Sequence, residues 1–169
     1  IDSSYAVGKK GMYQIKFLAE DRVGDFSDPD TQNVYFENSP PIIWDSQVPD
    51  TLPRPATGSN PIGALITLKV NDPQSLSDVQ EVYFYSLKPD STLANNGQPF
   101  QMWDNGLPFT GDPNQLQYAG DLVAGDGVYS FTILLFDNVL LGKYEFSFYA
   151  KDKTGQVSEV LMDSVQVVQ

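Results

Sequence analysis

Apolar and polar residues alternate with a period of two along much of the chain. The clearest run is Tyr144-Glu145-Phe146-Ser147-Phe148-Tyr149-Ala150-Lys151, where Tyr144, Phe146, Phe148 and Ala150 alternate with Glu145, Ser147 and Lys151. Successive side chains of a strand point to opposite faces, so this run predicts a strand with one buried face. Val128 to Leu135 reads the same way, as does Ala64 to Val70, where Leu65, Thr67 and Lys69 fall out of phase with Ala64, Ile66, Leu68 and Val70. Val79 to Leu87 places Val82, Phe84 and Ser86 on one face and Tyr83, Tyr85 and Leu87 on the other. Val160 to Val168 is a last strand, and Pro41 to Trp44 a short first one at an edge, where proline is tolerated. No convincing amphipathic helix of ten or more residues competes with this pattern. The 13 Gly and 12 Pro fall largely between the runs and punctuate turns. Regularly spaced strands separated by turn clusters predict an all-β sandwich or barrel.

The pattern repeats itself at an offset of 131 residues. Gly11, Tyr13, Phe17, Ala19, Asp21, Gly24 and Ser27 align with Gly142, Tyr144, Phe148, Ala150, Asp152, Gly155 and Ser158, and Val34 with Val165. The unit reads as a penultimate strand with Tyr and Phe facing inward, an Asp-x-x-Gly turn, and a Ser opening the last strand. At 142–168 it follows a full set of strands; at 11–37 only ten residues precede it. Residues 1–37 are therefore expected to be the last two strands of an earlier domain, and 38–169 a complete one. The boundary falls at Asn38-Ser39-Pro40-Pro41, a rigid polar linker by composition. A lone hairpin is marginal in water, so the first unit needs a partner: the second domain's edge, another copy of the chain through strand exchange, or a preceding fragment. Ile1 stands where an initiating Met would, and no signal peptide is visible, so the chain reads as processed or cut from a longer one.

The motif Gly-x-Tyr-x-Phe-x-Phe-x-Ala-x-Asp-x-x-Gly-x-x-Ser at 142–158 resembles the end of bacterial immunoglobulin-like and fibronectin-type-III-like domains. Asn38-Ser-Pro-Pro-Ile-Ile43, Val70-Asn-Asp72-Pro73 and Gly120-Asp121 through Gly127-Val-Tyr129 resemble other parts of such domains in tandem surface proteins. The resemblance covers nearly all of 38–169. It implies an immunoglobulin-like antiparallel β-sandwich with a tyrosine corner, for which Tyr144 and Tyr13 are the candidates. It also implies a stalk, spacer or adhesion module, or an accessory domain beside an enzyme.

Composition narrows the chemistry. The chain has no Cys and no His. That removes disulfides, zinc-thiolate sites, thiol nucleophiles, Ser-His-Asp triads and imidazole ligands. A net charge of −12 argues against a nucleic-acid partner. No apolar run is long enough to span a membrane as a helix. Seventeen of the 22 acids are Asp, placed largely at turns and loops.

Four of these, Asp104, Asp112, Asp121 and Asp126, crowd into 104–127. An Asp- and Gly-rich loop can offer carboxylate and carbonyl oxygens to calcium, and Asp104, Asp121 and Asp126 are the candidate ligands. An EF-hand is excluded, because the third, fifth and twelfth positions from Asp121 hold Val123, Gly125 and Thr132. The competing account is turn chemistry, in which Asp and Gly serve local backbone needs. A glycosidase-like carboxylate pair is conceivable among 22 acids, but no βα framework surrounds them, and no catalytic residue is assigned.

Trp103 and Tyr85, with Trp44, Tyr83 and Phe100, could form an aromatic platform for a sugar ring. The favoured account is that Trp44 fills the end of the core and Trp103 caps it. The polar stretch from Lys88 to Gln101 reads as a long loop and is the expected surface for a protein or carbohydrate ligand. The leading expectation is a non-enzymatic extracellular module flanked by similar domains, and the alternative a carbohydrate-binding accessory sandwich.

Overall fold

A computed structural model of the chain describes residues 7–112 and 114–169; the first six residues of the predicted 1–37 unit lie outside them. Ten strands form. They are β1 (Gly11–Phe17), β2 (Asp30–Phe36), β3 (Ile42–Gln47), β4 (Thr51–Pro53), β5 (Ile62–Asn71), β6 (Val79–Leu87), β7 (Phe100–Met102), β8 (Val128–Leu135), β9 (Gly142–Asp152) and β10 (Leu161–Val168). They make a five-stranded sheet in the order β4-β10-β9-β6-β7, a three-stranded sheet in the order β3-β5-β8, and a separate two-stranded β1-β2 sheet. Every pairing is antiparallel except β4 with β10.

The two larger sheets share one apolar core, an arrangement compatible with a β-sandwich. The alternation along each strand sets the inner faces: Ala64, Ile66, Leu68 and Val70 from β5 meet Val82 and Phe84 from β6 and Phe146, Phe148 and Ala150 from β9. Phe84 is the hub. Its ring lies 5.3 Å from Phe131 of the opposite sheet and 5.0 to 5.4 Å from Phe100, Phe146 and Phe148. Such edge and offset contacts suit the ring quadrupole and add to area burial. Proline-flanked β3 takes an edge position, as the sequence predicts. Between Gln47 and Thr51 the chain crosses from one sheet to the other.

The hairpin β1–β2 repeats β9–β10 in three dimensions. Tyr13 pairs with Val34 and Gly11 with Phe36, while Tyr144 pairs with Val165 and Gly142 with Val167. Each register partner is displaced by the same 131 residues. The turns match bond for bond. Asp21 Oδ1 accepts from Val23 and Asp25 N–H, and Asp152 Oδ1 from Thr154 and Gln156 N–H. Ser27 and Ser158 hydroxyls each accept the N–H of Ala19 and Ala150 at 3.0 Å. The serines thus brace the turn rather than open the last strand, which begins three residues later.

The environments differ completely. Phe148 is wholly buried, whereas Phe17 is 52 % exposed, and Met12, Tyr13 and Ile15 are exposed with it. The inward face predicted for β1 is therefore bare, and the hairpin does not add to an edge of either larger sheet. It is held at its base. Asn38 and Pro41 are buried in the predicted linker, and Lys10 Nζ donates to Gln156 Oε1 at 2.9 Å.

Candidate functional site

The loop between β7 and β8 does bring Asp104, Asp121 and Asp126 together, with one carboxylate oxygen from each within 4.8 Å of the others. Their occupation is local. Asp104 accepts the N–H groups of Gly125, Asp126 and Gly127, the last at 3.0 Å. Asp121, buried, accepts from Gly106 and Leu122, and Asp126 accepts from Val128 at 2.9 Å. Backbone donors thus staple the two ends of a loop together, through Gly106 and Gly127, both of which have positive φ. Burial raises the Asp104 pKa, helped by the Asp121 charge and opposed by the three backbone donors. Asp112 stands apart, its Oδ1 accepting from Asn114.

The aromatic candidates separate. Tyr85 joins Tyr83 and Tyr149 on the outer face of the five-stranded sheet, with Tyr83 and Tyr149 stacked at 5.5 Å. Trp103 is not in that ring cluster. It is half-buried just past β7, where its backbone pairs with Ser130, and its Nε1 is buried without a partner among the described residues. Phe100 stacks on Phe84 against the core, so it is unavailable to a surface platform. Trp44 does not fill the end of the core; it is 42 % exposed on the edge strand β3. The predicted loop 88–101 is shorter than expected, because Leu93 bridges back to Leu87 and Phe100 begins β7.

Between the sheets lies a largely apolar cavity of about 310 Å³, lined by Phe84, Phe131, Phe146, Val165 and Val167 and, from the long loop, by Phe109 and Leu116. It offers shape and hydrophobic surface.

A second acid cluster escaped the sequence reading. Asp72 at the end of β5, Asp78 before β6 and Asp152 at the end of β9 are all buried, with one oxygen from each within 4.8 Å of the others. Asp72 Oδ1 accepts from Gln74 N–H at 2.9 Å, and Asp78 Oδ1 from Gly8 N–H at 2.6 Å. Asp152 Oδ2 accepts from the Asn38 amide at 2.6 Å. Burial raises the Asp72 pKa, and the charges of Asp78 and Asp152 add to the rise. For Asp152 burial is the largest single influence and acts upward, but hydrogen bonds from Gln156 and Thr154 together outweigh it and leave the pKa lowered. The sequence separation of these residues hid the cluster: they come from three strand ends and a linker, and only the fold converges them.

No protein-family model matches the chain, and no curated protein matches it. Among the described residues no helix is long and apolar enough to cross a membrane.

Proposed function

We propose that residues 38–169 are an immunoglobulin-like β-sandwich, that the hairpin before it closes a preceding unit of the same kind, and that the chain is a non-enzymatic structural or adhesion segment of a larger bacterial surface or secreted protein. The observation that carries this reading is the bond-for-bond equivalence of β1–β2 and β9–β10 across 131 residues, with the equivalent of a core face left bare. The grouping of β3, β5 and β8 in one sheet and β6, β9 and β10 in the other supports it, since it follows the A, B, E and C, F, G division of such sandwiches. So does the Tyr144 hydroxyl, which donates to the Leu140 carbonyl at 3.2 Å, as a tyrosine corner would. The acidic surface favours solubility.

The test is a polypeptide in which residues 38–141 are joined ahead of residues 11–169. In it β1–β2 complete a second sandwich, Phe17 becomes protected, and solution scattering gives a particle of two units in line. A joined segment that stays unfolded, with Phe17 as exposed as before, overturns the reading.

A second reading, carbohydrate binding, rests on the half-buried cluster of Tyr83, Tyr85 and Tyr149 on the outer face of the five-stranded sheet. Retardation in a polysaccharide-containing gel that Tyr149→Ala abolishes would establish it, and unretarded migration on every polysaccharide tried would remove it.

A further inference from the structure

We propose that Asp72, Asp78 and Asp152, together with the amide oxygen of Asn38, form a calcium site where the hairpin meets the two larger sheets. The site stands independently of any reading of the chain's function.

Three carboxylates are sunk in the fold here, with Asp78 and Asp152 fully buried. The ion pairs among the described residues fall elsewhere, on Asp45, Glu81, Asp90 and Glu145. Burying like charges side by side is costly unless a counter-charge or a proton accompanies them. The hydrogen bonds leave a specific set of oxygens unused: Asp72 Oδ2 and Asp78 Oδ2 are buried and unpartnered among the described residues. Independently of the acids, Asn38 Oδ1 is also buried and unpartnered among the described residues, although its Nδ2 donates both to Asp152 Oδ2 and to Thr154 Oγ1, the latter at 2.9 Å. A neutral amide has no reason to bury a bare oxygen beside carboxylates unless something electropositive completes it.

The geometry meets the condition for one ion. Oxygens about 2.4 Å from a common calcium lie at most about 4.8 Å apart, and the three carboxylates satisfy that limit. The donors are all oxygen, in a chain without His or Cys, which selects a hard cation. Calcium accepts mixed carboxylate and amide oxygens with water filling the rest, whereas magnesium demands a near-ideal octahedron. The cluster at Asp104, Asp121 and Asp126 lacks this signature, because none of its carboxylate oxygens is both buried and unpartnered among the described residues.

The ligands come from the linker and three strand ends, and Gly8 ahead of β1 bonds to Asp78. Calcium would therefore fasten the base of the hairpin to the body of the chain.

The experiment is a calcium titration of the full chain by calorimetry, with melting curves in calcium and in chelator. One calcium per chain and a melting point raised by several degrees are expected, with a smaller rise in equal magnesium. Asp78→Asn should weaken binding at least tenfold; in chelator it should melt at or above the parent, because a like charge is gone, and in calcium below it. Asp104→Asn should bind calcium as the parent does. Should Asp78→Asn fail to fold, amide NMR of the parent decides: calcium should move Gly8, Gln74, Thr154 and Gln156 and spare Gly106 and Gly125. Absence of binding, binding that survives Asp78→Asn, or shifts centred on Gly106 and Gly125 would each overturn the proposal.

Discussion

Phe17 and Phe148 occupy the same position in two copies of one hairpin, yet one ring faces solvent and the other is sealed in the core. This pair makes the cleanest comparison the molecule offers. Phe148→Ala removes a fully buried ring and should cost about 3–5 kcal/mol. Phe17→Ala should change stability by no more than about 0.5 kcal/mol. Chemical denaturation of both variants measures the difference, and equal losses would mean that the hairpin face is covered in solution.

Asn38 binds the linker to β9 through Asp152. Asn38→Ala leaves Asp152 Oδ2 short of a buried donor, at a cost of about 1–3 kcal/mol. A domain of this size then melts roughly 2–4 °C lower for each kcal/mol. Melting by circular dichroism in chelator isolates this loss from any effect of calcium.

Gly127 has φ +83°, and a Cβ there would stand 2.8 Å from the Val70 carbonyl oxygen. Gly111 has a similar φ, +85°, with no atom of the described residues within 4 Å of such a Cβ. Gly111→Ala should therefore cost only the left-handed penalty of about 1–2 kcal/mol, and Gly127→Ala clearly more. The order of the two denaturation midpoints checks the claim.

Burial pushes the Tyr129 phenol up to about 12, with the Asp104 charge adding to the rise. The folded state holds this proton more tightly than the unfolded chain, whose ordinary value is 10.0. The Tyr129 contribution is thus fully present below the unfolded value and is lost as pH rises from there through the folded one. Denaturation midpoints between those limits should fall less steeply in Tyr129→Phe than in the parent. Parallel slopes would contradict the assignment.

What the sequence revealed follows from how far each signal travels along the chain. Strands with a clean alternation, such as β5 and β9, were legible because period and burial are the same fact. β4 and β7 were not: three residues are too few to show a period, and Thr51-Leu52-Pro53 is held by pairing to β10 at the other end of the chain. The Asp104, Asp121 and Asp126 group was legible as a cluster because one loop carries all three, although its role as a backbone staple needed the hydrogen bonds. Trp44 was expected inside, but nothing in a single aromatic tells which side of an edge strand it takes. Asp72 stood out only within a stretch resembling tandem surface domains, and its meeting with Asp78, Asp152 and Asn38 is a property of the fold alone.

The parallel ladder between β4 and β10 has one further consequence. Thr51, Leu52 and Pro53 lie opposite Gln166, Val167 and Val168, flanked by the bonds from Gln166 to Asp50 and from Arg54 to Val168. A pull on the two ends of this region in opposite directions would drag these neighbouring strands past each other lengthwise. Their hydrogen bonds would then share the load and fail together, instead of opening one at a time as in an antiparallel hairpin peeled from its end. Single-molecule stretching should find a rupture force that falls when Leu52→Pro removes a rung, while a zipper-like, low-force extension in the parent would show that the ladder bears no tension.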